Sequence, residues 1–323
     1  MSTAADGHVF SIPMTTTFRG ISLREGMLFE GAAGWGEFSP FLEYDARLAA
    51  PWLRCAREAA DEGWPEPLRT SIPVNVTVPA VGPDQAHRIV REGAGCLTAK
   101  VKVAEPGQTI AEEEARLEAV RDALGSAGRI RVDANGGWSV EEATTAITVL
   151  NRAAGGLEYV EQPCETVEDL ALVRRKVDVR IAADESIRRA ADPYLVRELE
   201  AADVAVLKVQ PLGGVRACLR IAQDIGLPVV VSSALESSIG IAAGVALAAA
   251  LPELPYACGL ATVQLLTDDV VHDSLLPVDG ELPVVRPSVD SLALSRLRPG
   301  VDRIAAWAGR VADVEALGQD RTS

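Results

Sequence analysis

The sequence has 323 residues, of which 48% are hydrophobic and 24% charged, proportions typical of a folded globular protein rather than a disordered one. Its net charge of −15 at pH 7 argues against nucleic acid and anionic membranes as partners, because both attract basic surfaces. The five cysteines include no Cys-x-x-Cys pair, and Met1 to Pro13 lacks the pattern of a signal peptide. We therefore expect a cytoplasmic protein with reduced thiols. The sequence leaves open whether it is a monomer or a homo-oligomer.

The first part of the chain predicts a small α+β domain. Residues 8–40 are rich in β-strand patterns, and residues 26–30 and 34–38 are expected to pair as a hairpin. Residues 45–63 have apolar side chains at helical spacing and a glycine at the end, which predicts one helix. We place this domain at residues 1–72.

From residue 72 onward, strand and helix patterns alternate. The sequence predicts strands at 74–78, 98–103, 129–133, 158–161, 180–183, 204–209, 228–232 and 257–260. The helices expected between them span 84–92, 109–124, 140–153, 167–177, 191–200, 215–225 and 239–250. This α/β alternation favours a closed barrel over an open sheet, and we place it at residues 73–270. Residues 271–323, with a helix around 301–311, are expected to pack back on the barrel or the first domain.

Charged side chains stand at the ends of five successive barrel strands, 23 to 31 residues apart. Because the carboxyl ends of barrel strands surround one mouth, we expect these side chains to form one site. The set runs Lys100, Lys102, Asp133, Glu161, Asp184 and Lys208. Its three carboxylates suit Mg²⁺, with Mn²⁺ as a possible substitute. Each acid could instead cap the following helix, and the whole set could be an inert network of ion pairs.

The ordered motifs resemble those of the enolase superfamily, in its muconate-lactonizing-enzyme subgroup. The resemblance covers Lys-x-Lys from Lys100, Asp-x-Asn from Asp133, Glu-Gln-Pro from Glu161, Asp-Glu-Ser from Asp184, and Lys208. It implies an α/β fold with a modified TIM barrel of the (β/α)7β type and an amino-terminal α+β capping domain that the carboxyl-terminal tail completes.

The resemblance also implies roles for these residues. Asp133, Glu161 and Asp184 would hold the magnesium ion. Lys102 would remove the proton α to a substrate carboxylate, and Lys208 would face the opposite side of the intermediate. Lys100 would touch the carboxylate and lower the pKa of Lys102, which suits a lysine that acts as a base.

Arg131 and Asn135 share a strand face with Asp133 and are further candidates for substrate contact. Packing or hydrogen bonding at the barrel rim is an equally good interpretation of both side chains.

A serine-rich segment, residues 232–240, opens an apolar helix. Backbone amides at a helix start favour an anion, and the resemblance implies that this anion would be the succinyl group of a small carboxylate substrate. The residues expected to take part are Ser233, Ser237 and Gly240. Ser237 could instead be a plain helix cap.

Within the subgroup, the resemblance narrows the reaction. Residues 229–238 contain no histidine base, and residues 258–262 lack the Asp-x-Asp of dipeptide epimerases. What remains is a lyase of menaquinone biosynthesis that removes water from 2-succinyl-6-hydroxy-2,4-cyclohexadiene-1-carboxylate. The alternative is an N-succinylamino acid racemase or another epimerase of the superfamily. Residues 18–21 and 34–40 resemble the corresponding segments of the lyase more than those of the racemase. A catalytically inactive metal-binding barrel that acts as a scaffold is the alternative from another class.

Overall fold

A three-stranded antiparallel sheet opens the fold. The computed structural model describes residues 7–190 and 192–319. Residues 1–6, part of the amino-terminal segment that lacks the pattern of a signal peptide, lie outside the described residues. The strands are β1 (His8–Phe18), β2 (Ile21–Gly31) and β3 (Gly34–Phe38), and β2 and β3 pair as predicted. Arg19 and Gly20 form the turn between β1 and β2, with φ of 53° and 75°.

Helix α1 (Ala46–Arg57) packs against this sheet. It begins at a capping residue, Asp45, whose side chain accepts a hydrogen bond from the Leu48 amide. The helix then widens into a π-helical turn (Glu58–Glu62) and ends at Gly63, whose φ of 72° favours glycine. The single helix predicted over residues 45–63 is therefore confirmed in position.

Seven parallel strands form the barrel sheet, in the order β11-β10-β9-β8-β7-β6-β5. They are β5 (Val76–Val78), β6 (Thr98–Lys102), β7 (Arg129–Asp133), β8 (Leu157–Glu161), β9 (Ile181–Ala183), β10 (Val204–Lys208) and β11 (Val229–Ser232), preceded by β4 (Ser71–Pro73). Two bridges close the barrel, Cys258 to Val74 and Gly259 to Ser232. The strand predicted at 257–260 is therefore reduced to two bridges, and Gly259 contributes to this because glycine weakens a strand.

Helices alternate with these strands. Their bounds are α2 (Pro83–Arg91), α3 (Ile110–Leu124), α4 (Val140–Ala153), α5 (Val167–Arg174), α6 (Glu185–Arg188), α7 (Leu195–Glu198), α8 (Val209–Leu212), α9 (Val215–Ile225) and α10 (Ser238–Ala250). The helix predicted at 191–200 is wrong in extent. Ala191 lies outside the described residues, and Pro193 disfavours helical backbone at the residue before it, so only α7 is helical.

The carboxyl-terminal segment contacts both parts of the fold. After a 3₁₀ turn (Thr262–Leu265), β12 (Glu281–Pro283) pairs antiparallel with β4. α11 (Ser291–Arg296) precedes α12 (Val301–Gln319), which is longer than predicted and packs against α1. Trp307 of α12 shares a hydrophobic core with Trp52 and Phe38. The domain limits at residues 72 and 270 remain a prediction.

A separate hydrophobic core fills the space around the barrel strands, with Val101, Val132 and Leu207 fully buried. Nowhere in the described ranges is a helix long and apolar enough to cross a membrane.

Two glycines in opposite environments test this packing. A Cβ at Gly36 would lie 2.0 Å from the Ala56 carbonyl oxygen of α1, whereas a Cβ at Gly309 in α12 would meet no atom within 4 Å. We expect Gly36→Ala to lower the free energy of unfolding by about 1–3 kcal/mol, because α1 must move away from β3. Gly309→Ala should raise it by about 0.5–1 kcal/mol, because alanine favours the helix. Urea denaturation measures both changes, and a neutral Gly36→Ala would contradict the close approach.

Candidate active site

The structure brings six charged side chains together where the barrel strands end. Each is less than a tenth exposed. The strand register sets Lys102 beside Asp133 and Asp133 beside Glu161. The six are Lys100 and Lys102 on β6, Asp133 on β7, Glu161 on β8, Asp184 after β9 and Lys208 on β10.

Alternating charges hold one half of this cluster together. The Lys100 ammonium lies 2.7 Å from Glu161 Oε1 and 3.0 Å from Asp133 Oδ2. The Lys102 ammonium lies 3.3 Å from the same oxygen of Asp133. Because a buried charge without a partner is costly, the removal of any one of these groups affects the others.

Asp184 organises the other half. Its Oδ2 lies 2.7 Å from the Lys208 ammonium, and its Oδ1 accepts a hydrogen bond of 2.8 Å from Arg188 Nε. Arg188 also donates to Glu185 Oε1 at 2.6 Å and lines the cavity at the strand ends. Arg188 is not among the site residues predicted from the sequence. Its position four residues after Asp184, one helical turn away, is the signal that would have found it.

The two lysines of β6 have opposite pKa shifts. Burial lowers the pKa of Lys100, but Asp133 and Glu161 raise it more, so that the net pKa lies well above its usual value. Burial also lowers the pKa of Lys102, and the charge of Lys100 lowers it further, while Asp133 offsets only part of the effect. Lys102 is therefore the amine of this pair that gives up its proton more easily.

The three acids also differ. Burial alone raises the pKa of Asp133, yet Lys100 and Lys102 hold it well below its usual range. Burial likewise raises the pKa of Asp184, but Arg188 and Lys208 reverse the shift. For Glu161, burial and the charge of Asp133 dominate and raise its pKa to about 7. Glu161 is therefore the acid whose charge is least compensated.

The donor set fits a hard divalent cation. Asp133, Glu161 and Asp184 supply carboxylate oxygens from three adjacent strand ends, and Glu161 Oε2 is buried without a hydrogen-bond partner among the described residues. Within the described ranges, no three acid, histidine or cysteine side chains form a ready metal-binding group. Amine and guanidinium groups pair with the acids instead, so a cation bound here would exchange with those ion pairs.

The two candidates on the face of Asp133 have different surroundings. Asn135 lines the cavity, with its amide donating to Asp133 Oδ1 at 3.0 Å and its side chain donating to Glu185. Arg131 is fully buried and does not line the cavity. It donates to Glu158 Oε2 and the Ala257 carbonyl, both at 2.8 Å. The expected substrate contact of Arg131 is thus replaced by internal hydrogen bonds one layer deeper in the barrel.

Part of the serine-rich segment faces the cavity. Ser232 and Ser233 line it beside Thr262, and the Ser233 and Thr262 hydroxyl oxygens lie 2.7 Å apart. These neutral groups can hydrogen-bond to a substrate oxygen, but they add no charge.

The start of α10 does not face the cavity, which corrects the expectation for Ser237 and Gly240. The Ser237 hydroxyl donates to Glu37 Oε2 at 2.5 Å, and the Gly240 amide donates to the same oxygen at 3.1 Å. Ser237 also caps the helix, since its hydroxyl accepts from the Ile239 amide. The anion at this helix start is therefore Glu37 of β3, not a substrate.

Glu37 belongs to a fully buried network that shapes the loop between β11 and α10. Arg24 Nε donates to the Leu235 carbonyl at 2.8 Å, and Leu235 has a φ of 66°, unusual for a residue other than glycine. Glu236 Oε2 accepts from the Ala234 amide at 2.6 Å. Two acids and one arginine thus fix a strained loop whose residues line the cavity.

Three side chains of the amino-terminal part complete the cavity wall: Phe18, Arg19 and Phe41. The Lys102 ammonium lies 5.8 Å from the centre of the Phe18 ring. An aromatic wall beside this amine keeps water away from it, which is consistent with its lowered pKa.

The chain is similar to known proteins in both of its parts. Residues 9–60 match the family model described as "Enolase N-terminal domain-like", and residues 83–288 match "Enolase C-terminal domain-like". The muconate lactonizing enzyme of Pseudomonas fluorescens has a similar structure, with a TM-score of 0.78 and 20% identity over 91% of this chain and 98% of that one. These matches confirm the predicted modified barrel with an amino-terminal capping domain.

Curated relatives are similar over nearly the whole chain. An o-succinylbenzoate synthase of Thermobifida fusca is 63% identical over 96% of this chain and 96% of that protein. One of Mycolicibacterium smegmatis is 52% identical over 96% and 95% of the respective chains.

The buried Glu236 predicts a pH dependence of stability. Burial and the charge of Glu37 raise the pKa of Glu236 from 4.5 to about 7. Between these values the folded state binds more protons than the unfolded state, so this group lowers the free energy of unfolding as pH rises from about 4.5 to 7. Glu236→Gln removes this titrating group. Its free energy of unfolding should therefore exceed that of the unsubstituted protein by on the order of 1–3 kcal/mol as pH rises through that window.

Urea denaturation at pH 5, 6, 7 and 8 measures the difference. The exposed Glu253→Gln serves as control and should follow the unsubstituted protein at every pH. A Glu236→Gln curve parallel to that of the unsubstituted protein would show that Glu236 is ionised throughout.

Proposed function

This chain belongs to the o-succinylbenzoate synthase family of the enolase superfamily, and we propose that it converts 2-succinyl-6-hydroxy-2,4-cyclohexadiene-1-carboxylate into 2-succinylbenzoate and water. The observation that carries this proposal is the 63% identity, over 96% of both chains, to a synthase of that name. The activity is that of a carbon–oxygen lyase, and its place would be in menaquinone biosynthesis, in the cytoplasm.

We infer that Lys102 is the base. Its buried amine has a lowered pKa, as proton abstraction near neutral pH requires. The composition of the chain supports this role, because it contains only four lysines beside 27 arginines, and three of the four lie in the site. An arginine keeps its proton in proteins, whereas a lysine can lose one when it is buried.

One lysine suffices for a syn elimination. The Lys102 amine takes the ring proton α to the carboxylate, and the electron pair of that C–H bond forms the new ring double bond. The resulting ammonium then gives its proton to the leaving hydroxyl group as the C–O bond breaks, so that water departs and the ring becomes aromatic. Lys208, paired with Asp184 at 2.7 Å, acts as a fixed cation.

We infer that Asp133, Glu161 and Asp184 hold a divalent cation, Mg²⁺ in the first place and Mn²⁺ as a substitute. When bound by these three acids, such a cation would supply positive charge beside the substrate carboxylate, which becomes more negative as the proton leaves. The unpartnered Glu161 Oε2 and the raised pKa of Glu161 favour this assignment, because both indicate that Lys100 compensates the charge of Glu161 only in part.

Two alternatives are less well supported. An N-succinylamino acid racemase needs Lys102 and Lys208 as proton carriers on opposite faces, and both amines are present, but the curated relatives named above are synthases. An inactive scaffold needs no lysine base, which leaves the lowered pKa of Lys102 without a purpose.

Replacement of the base tests the mechanism. Lys102→Ala should lower turnover by at least about 10³-fold, because the proton on carbon then has no acceptor. The exposed Lys176→Ala is the matched control and should keep full activity. Absorbance of the aromatic product, measured with Mg²⁺ present, gives both rates. Substantial turnover by Lys102→Ala would assign the base elsewhere.

Metal binding can be tested without turnover. Protein stripped by a chelator should gain thermal stability when Mg²⁺ is added, by about 2.7 kcal/mol at a concentration 100 times the dissociation constant. Asp184→Asn should lose most of this gain, while Asp313→Asn, an exposed acid on α12, should keep it. Equal stabilisation of both variants by Mg²⁺ would place the cation outside these three acids.

A further inference from the structure

The substrate of the proposed function carries two carboxylates, one on the ring and one at the end of the succinyl chain. The ring carboxylate belongs near Lys102, where its α proton is removed. The succinyl carboxylate needs a second cation, and the start of α10 is excluded because Glu37 already accepts from its amides. The inference that follows rests on the proposed function and concerns where that second charge binds.

Three arginines converge on one neutral oxygen at the edge of the cavity. The Tyr44 hydroxyl accepts hydrogen bonds from Arg189 at 2.8 Å, Arg188 at 3.0 Å and Arg19 at 3.4 Å. Three guanidinium ions close together repel one another, and a single hydroxyl supplies no net charge to offset this. The arrangement therefore favours an anion beside it.

The three arginines differ in how far acids neutralise them. Arg188 is paired with Asp184 and Glu185 at 2.8 and 2.6 Å. Arg189 has no ion pair with any acid of the described residues. Arg19 reaches only Glu43, at 3.9 Å, whose side chain is 59% exposed. A surface pair of that length contributes little, so Arg19 keeps its charge available.

Of the two poorly neutralised arginines, Arg19 is the one that lines the cavity. It lies at the β1–β2 turn, and its guanidinium stacks 4.3 Å from the centre of the Phe41 ring, another part of the cavity wall. Its side chain is 26% exposed, so it can shift toward a ligand without unpacking the core. Phe18, next to Arg19 in sequence, places its ring 5.8 Å from the Lys102 ammonium.

We propose that Arg19 binds the terminal carboxylate of the succinyl chain, while the Tyr44 hydroxyl, which accepts from Arg19, holds its guanidinium at the mouth of the cavity. Arg19 thereby selects substrates that carry a carboxylate at the end of a short acyl chain. The planar guanidinium can offer two parallel hydrogen bonds to that carboxylate, which the catalytic amines cannot.

A matched pair of ligands isolates this contact. 2-Succinylbenzoate and 2-butyrylbenzoate have the same ring and acyl length, and only the first has the terminal carboxylate. Calorimetric binding in the presence of Mg²⁺ should show that the unsubstituted protein prefers the first by about 10- to 100-fold. Arg19→Gln should lose most of this preference by weakening only 2-succinylbenzoate, and Arg19→Lys should recover part of it.

Arg47→Gln removes an exposed charge from the same part of the fold and should leave both affinities unchanged. In turnover, Arg19→Gln should raise KM by a similar factor with a smaller change in kcat. Equal weakening of both ligands by Arg19→Gln, or an unchanged affinity for 2-succinylbenzoate, would overturn the assignment of Arg19 alone. Absence of synthase turnover in the unsubstituted protein would overturn the proposed function and this subsite with it.

Discussion

This site depends on one constraint: its charged side chains are buried away from solvent and must therefore neutralise one another. Three carboxylates and three amines lie at adjacent strand ends, nearly all of their surface hidden, and each acid oxygen that faces an amine lowers the cost of burying both. The compensation is uneven, and the unevenness is what gives the groups different chemistry. The pKa of Lys100, which lies between two acids, is raised, whereas the pKa of Lys102, which shares Asp133 with it, is lowered.

The same principle attaches the amino-terminal part to the barrel. Glu37 of β3 accepts from the amides at the start of α10, and Glu58 accepts from the Arg216 amide at the start of α9, at 3.1 Å. These two helices follow β10 and β11, whose ends help to form the cavity. A carboxylate at a helix start is stabilised by the unpaired amides there. The wall that carries Phe18 and Phe41 is thus positioned by bonds to α9 and α10, the helices that come after Lys208 and Ser233 in the chain.

Much of the fold and the charged cluster could be predicted because the signals are local. Alternating patterns, caps such as Thr109 and Ser139, and one charged residue per strand end depend only on neighbours in sequence. The predictions that failed concern residues whose contacts depend on how deep they lie in the barrel or on residues far away in sequence. Arg131 has the same face as Asp133 but lies two residues earlier, where the barrel interior is filled. The occupant of the α10 start lies about 200 residues away in sequence, and no local pattern of Ser237 reports it.

The scarcity of lysine has a practical consequence. All four lysines lie in the described ranges, and Lys176 alone is exposed, on the segment that leads into β9 at the end of the barrel opposite the mouth. Reagents that acylate side-chain amines thus meet one accessible handle. Coupling through this side chain would tether the protein to a resin or sensor chip with the cavity directed toward the bulk solution.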